Sequence, residues 1–222
     1  MPDLNSIVQV TAVALPLFAS GGIATLSAFD VPLLQAQPAS RSLPSIRWLF
    51  SRGSHIFPTA AFVSGASLLQ CAYRALPPAH RFTSLNSFTK MGPKTNLLLA
   101  AAGLALSIGP FTQIFMIPLN FSMIKKNEEL GGFRSEKAML EAKNGKTTPT
   151  PGSRSASDSV AGKGEGDEFT DLTGPHASTA RDSTPEEDRE MRDRLGQFAR
   201  LNSVRAVLIG AGGLLGLVAT TL

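Results

Sequence analysis

Residues 97–119 read LLLAAAGLALSIGPFTQIFMIPL, an apolar run that contains no Asp, Glu, Lys or Arg. The charge-free stretch around it reaches from residue 95 to residue 124. About 20 such residues, at a rise of about 1.5 Å each, cross the hydrocarbon core of a bilayer as an α-helix. The run therefore predicts a membrane-spanning helix at about residues 96–120.

Three further stretches with few charges have a suitable length, at about residues 7–29, 56–76 and 204–222. All four contain small residues, such as Gly212 and Gly216, at which helices can approach closely in a membrane. A soluble helical domain would instead need polar faces at helical spacing, and these stretches lack them. The sequence thus predicts an all-α integral membrane bundle of four antiparallel transmembrane helices, with helices 1–3 in residues 1–124.

Most of the charge lies between the third and fourth spans. Residues 124–203 hold 13 of the 21 Lys and Arg and 15 of the 17 Asp and Glu. The pI of about 9.5 is therefore no sign of nucleic-acid binding, which needs basic residues clustered on one face. We interpret residues 125–184 as a polar loop. Its Ser, Thr, Gly and Pro-rich part, residues 147–184, is predicted to be disordered because it has little apolar surface to bury.

A helix-start pattern follows this loop. Thr184, Pro185 and Glu187 occupy the cap, first and third positions of a predicted helix. Met191, Leu195 and Phe198 then recur at helical spacing. Residues 185–222 are thus predicted to form an amphipathic helix on the membrane surface that leads into the fourth span.

The Lys and Arg bias of the flanking loops predicts the orientation. Thirteen basic residues lie near the spans on the side of the long loop, against three or four on the opposite side. We therefore expect a multi-pass protein, in an endomembrane, with the long loop in the cytoplasm and both termini outside it.

The usual catalytic motifs are missing from the sequence. It has no Walker sequence, no Gly-x-Ser-x-Gly and no pair of histidines or Glu and His at metal-binding spacing. Cys71 is the single cysteine, which excludes an intrachain disulfide and a Cys-rich zinc site. No metal site is predicted.

Polar groups at membrane depth are the remaining candidates. In the third span, Thr112, Gln113 and Asn120 flank Pro110 and Pro118, which remove helix hydrogen bonds and leave carbonyls that need partners.

Two further groups lie at the ends of spans. Asn202 and Arg205 are three residues apart, on one face of a helix at the start of the fourth span. An arginine at this depth is a functional candidate, although a snorkelling anchor is the alternative. His55 lies at the entrance to the second span, where an interfacial ring is the alternative to a general base.

Three segments of the sequence stand out together: Pro110-Phe-Thr112 with Met116-x-Pro-x-Asn120, Arg200-Leu-Asn-Ser-Val-Arg205, and Arg47-Trp-Leu-Phe-Ser-Arg-Gly53 with Pro58-Thr-Ala60. In these segments the chain resembles the anthrone-oxygenase-like family of four-helix membrane proteins. The resemblance covers the spans and their flanks and leaves out residues 147–184.

The resemblance implies that the protein oxidises a polycyclic anthrone-like polyketide to a quinone with O₂ and no cofactor. On this basis Arg205 and Asn202 are assigned to the oxyanion and His55 to proton abstraction. Asn120, Thr112, Gln113 and Trp48 are assigned to substrate binding. Partners would then be an aromatic polycyclic molecule, O₂ and the bilayer, with no nucleic acid; a homo-oligomer and pathway partners are left open.

A non-enzymatic function remains the alternative. In that hypothesis the protein is a membrane scaffold or tether that recruits partners through its cytoplasmic loop, where Thr184-Pro185 is a context for phosphorylation. A transporter is less favoured, because no Asp, Glu or Lys lies in the middle of a span to relay ions.

Overall fold

The computed structural model of the chain describes residues 4–76, 92–145 and 173–222. These residues form α-helices and two single π-helical turns, Leu26–Asp30 and Thr112–Met116. The helices are α1 (Leu4–Thr25), α2 (Val31–Gln35), α3 (Ala39–Ala75), α4 (Pro93–Phe111), α5 (Ile117–Glu129), α6 (Glu136–Lys143) and α7 (Pro185–Thr220).

Four helical segments of the described chain are long and apolar enough to cross a membrane. They are Leu4–Gln35, Ala39–Ala75, Pro93–Glu129 and Pro185–Thr220. In the most apolar 18-residue stretch of each segment, only 22–39% of the residues are buried inside the protein. Large side chains such as Phe18, Phe62 and Val207 are more than two-thirds exposed. Exposed apolar surface of this extent is typical of a lipid-facing protein. The predicted all-α, multi-pass membrane fold is confirmed.

The described residues divide into two compact units. The first comprises those of Met1–Ala24, Phe57–Phe111 and Ser203–Leu222, and the second those of Thr25–Ile56 and Thr112–Asn202.

Small residues bring the four helices of the first unit together. A Cβ atom added to Gly212 of α7 would lie 2.8 Å from the Ala101 carbonyl oxygen of α4. One added to Gly213 would lie 2.8 Å from the side chain of Leu17 on α1, and one on Gly216 would lie 2.9 Å from Leu68 on α3. At Gly212 the near atom belongs to the backbone, and at the other two positions a leucine side chain would have to move, so the glycines of α7 allow the close helix packing that the sequence predicts.

The two π turns have a common cause in proline. Pro32 and Pro118 lie in the first two positions of α2 and α5, directly after a π turn. A proline ring clashes with the carbonyl group four residues earlier and donates no hydrogen bond. That carbonyl belongs to Ala28 or Ile114, each inside its π turn, so the wider turn accommodates the proline without ending the span. The interruption expected near Pro118 takes this form.

In the second unit, residues 173–184 differ from the prediction of disorder. Residues 147–172, the rest of the segment predicted to be disordered, lie outside the described residues. The Thr179 amide donates to the Ser40 carbonyl at 2.8 Å, and the Arg181 amide donates to the Leu130 carbonyl at 3.0 Å. Backbone hydrogen bonds to two helical segments thus hold this part of the chain, although it has little apolar surface.

The helix at residues 185–220 begins as predicted and then packs differently. The Thr184 hydroxyl accepts a hydrogen bond from the Glu187 amide at 3.3 Å, and the Glu187 carboxylate accepts one from the Thr184 amide at 2.9 Å. These two bonds form the predicted capping box. Met191, Leu195 and Phe198 are at most 2% exposed, so they pack inside the protein and not on a membrane surface.

The segment before the second span is also more helical than predicted. The second span was predicted to begin at about residue 56, but α3 begins at Ala39 and runs without interruption into the span. Its first turn is capped by the Asp188 carboxylate, which accepts a hydrogen bond from the Ala39 amide at 2.7 Å. Leu43, Ile46 and Phe50 are buried at helical spacing, which explains the stability of this extension.

Candidate functional site

Asn202 of α7 is the most deeply buried of the predicted site residues. Its side chain is 1% exposed, and its Nδ2 atom donates a hydrogen bond to the Ser27 hydroxyl at 3.1 Å. Ser27 lies in the first π turn. A π turn offers its side chains in an unusual register and often occurs at functional sites. Ser27 is a partner that the sequence gave no reason to choose, since serine is common in apolar spans.

Arg205 follows three residues later on the same continuous helix, α7, and belongs to the first unit. It is 7% exposed. Burial of a guanidinium is costly unless hydrogen bonds or counter-charges compensate for the lost water. The low exposure of Arg205 therefore does not fit a snorkelling anchor, whose charged head would lie in water.

The other polar candidates of the third span lie in the second unit. Thr112 and Gln113 are in the π turn, where Thr112 is half-buried and Gln113 is exposed. Asn120 is half-buried on α5, and its buried Oδ1 atom has no hydrogen-bond donor within the described part of the chain. A buried carbonyl oxygen of this kind is available to a ligand or a water molecule.

Trp48 and His55 are both half-buried on α3. The Trp48 indole donates a hydrogen bond to the Thr173 carbonyl at 2.9 Å, and the Arg52 guanidinium lies 5.0 Å from the centre of its ring. The indole therefore already has a structural role, because it fixes the chain at residue 173 against α3. Of the seven predicted site residues, six belong to the second unit and Arg205 to the first.

The second unit also buries polar residues that were not among the predicted site residues, and the largest of them are Arg47, Arg134 and Asn127. Arg47 is 3% exposed and interacts electrostatically with Arg134, which is 7% exposed, and with Glu128. Asn127 is 1% exposed, and neither atom of its amide has a hydrogen-bond partner in the described chain. Arg47 stood in a segment that supports the family resemblance, which was the available signal. The sequence around Arg134 and Asn127 is charged, so both residues were expected to be exposed to solvent.

His176 lies outside the spans, in the segment that follows residue 172. Its ring makes an edge-to-face contact with Phe133, with the ring centres 5.7 Å apart. Burial lowers the pKa of His176 from its ordinary value, and the positive charge of Lys143 lowers it further, while Glu136 opposes both.

A cavity of about 390 Å³ lies in the first unit, and every residue that lines it belongs to that unit. It is formed by the first turns of α1 and α4 and the last turns of α3 and α7. None of the predicted site residues lines it. Within the described residues, no three His, Cys, Asp or Glu side chains are grouped so that they could hold a metal ion.

Comparison with known proteins gives one family. The model of the anthrone oxygenase family matches residues 47–215, which include α4, α5 and most of α3 and α7. No curated protein and no solved structure matches the chain.

Proposed function

Because the chain belongs to the anthrone oxygenase family, we propose that it oxidises a polycyclic anthrone to the corresponding quinone with O₂ and without a cofactor. The matched region contains every residue that we assign to the site. The observation that carries the proposal is the burial of Asn202 and Arg205 at the start of the apolar part of α7, because buried polar groups in a membrane helix mark functional positions.

The chemistry needs little from the protein. Loss of one benzylic proton from an anthrone gives an anion whose charge lies on the ring oxygen, as in a phenolate. This anion adds O₂ at the same carbon and, after protonation, gives a hydroperoxide. Loss of the second benzylic proton and cleavage of the O–O bond release water and leave the new carbonyl group. One oxygen atom of O₂ thus enters the quinone and the other leaves as water.

In this proposal Arg205 and Asn202 stabilise the negative oxygen of the intermediate. Donors that are fixed in a dry environment stabilise a developing oxyanion more strongly than water does. The hydrogen bond between Asn202 and Ser27 would hold the amide in one orientation. His55 is proposed to take the benzylic proton, since an imidazole is a suitable base near neutral pH.

The four remaining residues are proposed to bind the flat substrate. Asn120 and Thr112 would orient its carbonyl group, and the unsatisfied Oδ1 atom of Asn120 would accept a hydrogen bond from a substrate hydroxyl. Gln113 and Trp48 would add polar and aromatic contacts.

The test is O₂ uptake and quinone formation by the purified full chain in detergent with an anthrone as substrate. Arg205→Lys keeps the positive charge and removes the planar fork of donors, so we expect roughly a 100- to 1000-fold loss of turnover. Arg200→Lys is the matched control, because Arg200 is exposed on the same helix.

Two results would contradict the proposal. If the wild-type chain does not accelerate O₂ uptake above the uncatalysed rate, the enzymatic function is wrong. If Arg205→Lys retains the activity of Arg200→Lys, Arg205 does not contact the oxyanion. Asn202→Ala tests the second donor in the same assay, with folding checked by thermal unfolding of each variant.

A further inference from the structure

The cavity of the first unit has the chemistry of a site for an anionic amphiphile. Its inner wall is apolar and is made by side chains such as Val13, Leu68 and Leu98. Its polar lining includes Arg74 and Lys94, with the amides of Asn5 and Gln9. Among the residues that the structure describes, no Asp or Glu lines it. The lining thus has two positive charges, hydrogen-bond donors and an apolar wall.

The two cations come from different helices, Arg74 from the last turn of α3 and Lys94 from the first turn of α4. Both act electrostatically on the thiol of Cys71, which also lines the cavity. A lysine in the first turn of a helix opposes the helix dipole, and helix stability therefore does not explain Lys94. An anion bound in the cavity would lie beside Lys94 and would also be attracted by the charge of Arg74.

The size of the cavity excludes a simple ion as its full occupant. A volume of about 390 Å³ equals roughly a dozen water molecules at about 30 Å³ each, and it lies within the range of ligand sites. The apolar wall favours hydrocarbon over water. From the charges and the wall together, we infer that this cavity binds the headgroup end of one anionic phospholipid, with the phosphate at Arg74 and Lys94 and the first carbons of the acyl chains against the apolar wall.

Lipid binding can be measured on the delipidated full chain in a non-ionic detergent. Native mass spectrometry would count the lipids bound during titration with phosphatidylglycerol, with phosphatidylcholine of the same acyl chains, and with inorganic phosphate. We expect one phosphatidylglycerol to bind more tightly than phosphatidylcholine. Arg74→Gln and Lys94→Gln should each weaken it about fivefold, the effect of one basic residue near an anionic headgroup.

Two variants separate the cavity from general surface charge. Lys125→Gln removes an exposed lysine of α5 that does not line the cavity, so it should leave the affinity unchanged. Val13→Phe keeps all charges but fills part of the cavity, and it should reduce phosphatidylglycerol binding. Thermal unfolding shows whether each variant is folded, and Val13→Ile serves in place of Val13→Phe if the larger ring prevents folding.

Three results would overturn the inference. Equal binding of phosphatidylglycerol and phosphatidylcholine would show that the charges do not select the headgroup. Binding of inorganic phosphate as tightly as the lipid would show that the apolar wall contributes nothing. Displacement of the lipid by an anthrone, with loss of oxidation in Val13→Phe, would identify the cavity as the substrate site instead.

Discussion

Replacement of Gly212 by alanine tests whether close packing of α7 on α4 holds the first unit together. The added Cβ atom would lie 2.8 Å from the Ala101 carbonyl oxygen and 3.2 Å from the Ala105 amide nitrogen. Both are backbone atoms, so the two helices must separate by several tenths of an ångström to restore ordinary contact. Overpacking of this kind costs about 1–3 kcal/mol. The gain in helix propensity from glycine to alanine offsets up to about 1 kcal/mol.

We therefore expect Gly212→Ala to lower the free energy of unfolding by up to about 2 kcal/mol, measured by reversible denaturation in mixed micelles. Gly103→Ala on α4 is the matched control, because no atom lies within 4 Å of its added Cβ, and it should be neutral or stabilising. Gly216→Ala should fall between them, since its contact at 2.9 Å is with a mobile atom of Leu68. If Gly212→Ala is as stable as Gly103→Ala, close packing at this position is not what holds α7.

Three further predictions concern the loop and the orientation. Deletion of residues 147–172 should preserve thermal stability, because a change in loop length costs only about 0.6 kcal/mol per doubling. Deletion of residues 147–184 should destabilise the protein, because it also removes backbone hydrogen bonds worth about 1 kcal/mol each. Glycosylation sites introduced at residue 160 and at the C-terminus should be modified only at the C-terminus, and modification at residue 160 would reverse the orientation that we propose. Because the folded-state pKa of His176 is lowered, its contribution to stability should be complete well above pH 6.5 and decline as the pH falls below it. His176→Asn should flatten this dependence in thermal unfolding, and an unchanged pH profile would contradict it.

The spans and their contacts could be predicted because they depend on local composition. Uncharged runs of about 20 residues and glycines four positions apart are visible in any single sequence. The helical start of α3 was missed because residues 39–55 carry several basic residues, which lower the hydropathy below that of a span. The spacing of Leu43, Ile46 and Phe50 was the signal that could have revealed it.

The polar groups were harder to predict, since burial of a charged side chain depends on neighbours far away in sequence. Asn202, one of the predicted site residues, is buried, and its partner Ser27 is 175 positions away. Arg134 and Asn127 lie in or next to a charged region that reads as solvated, yet both are buried in the second unit. Their burial follows from tertiary contacts that no local pattern specifies.

The geometry of α7 predicts that catalysis and lipid binding are independent. Gly216 and Thr220, which line the cavity, follow Arg205 by 11 and 15 residues on one continuous helix. At about 1.5 Å per residue they lie roughly 16 and 22 Å further along its axis. Both separations exceed about 7–10 Å, the distance beyond which the effects of two substitutions usually add. They also exceed the Debye length of about 8 Å at physiological ionic strength, beyond which exposed charges are largely screened from each other. In the double variant with Arg205→Lys and Lys94→Gln, we expect the losses of turnover and of lipid affinity to equal those of the single variants. A coupling energy well above about 0.5 kcal/mol, in either measurement, would mean that one ligand contacts both residues and would refute the division of the molecule into two sites.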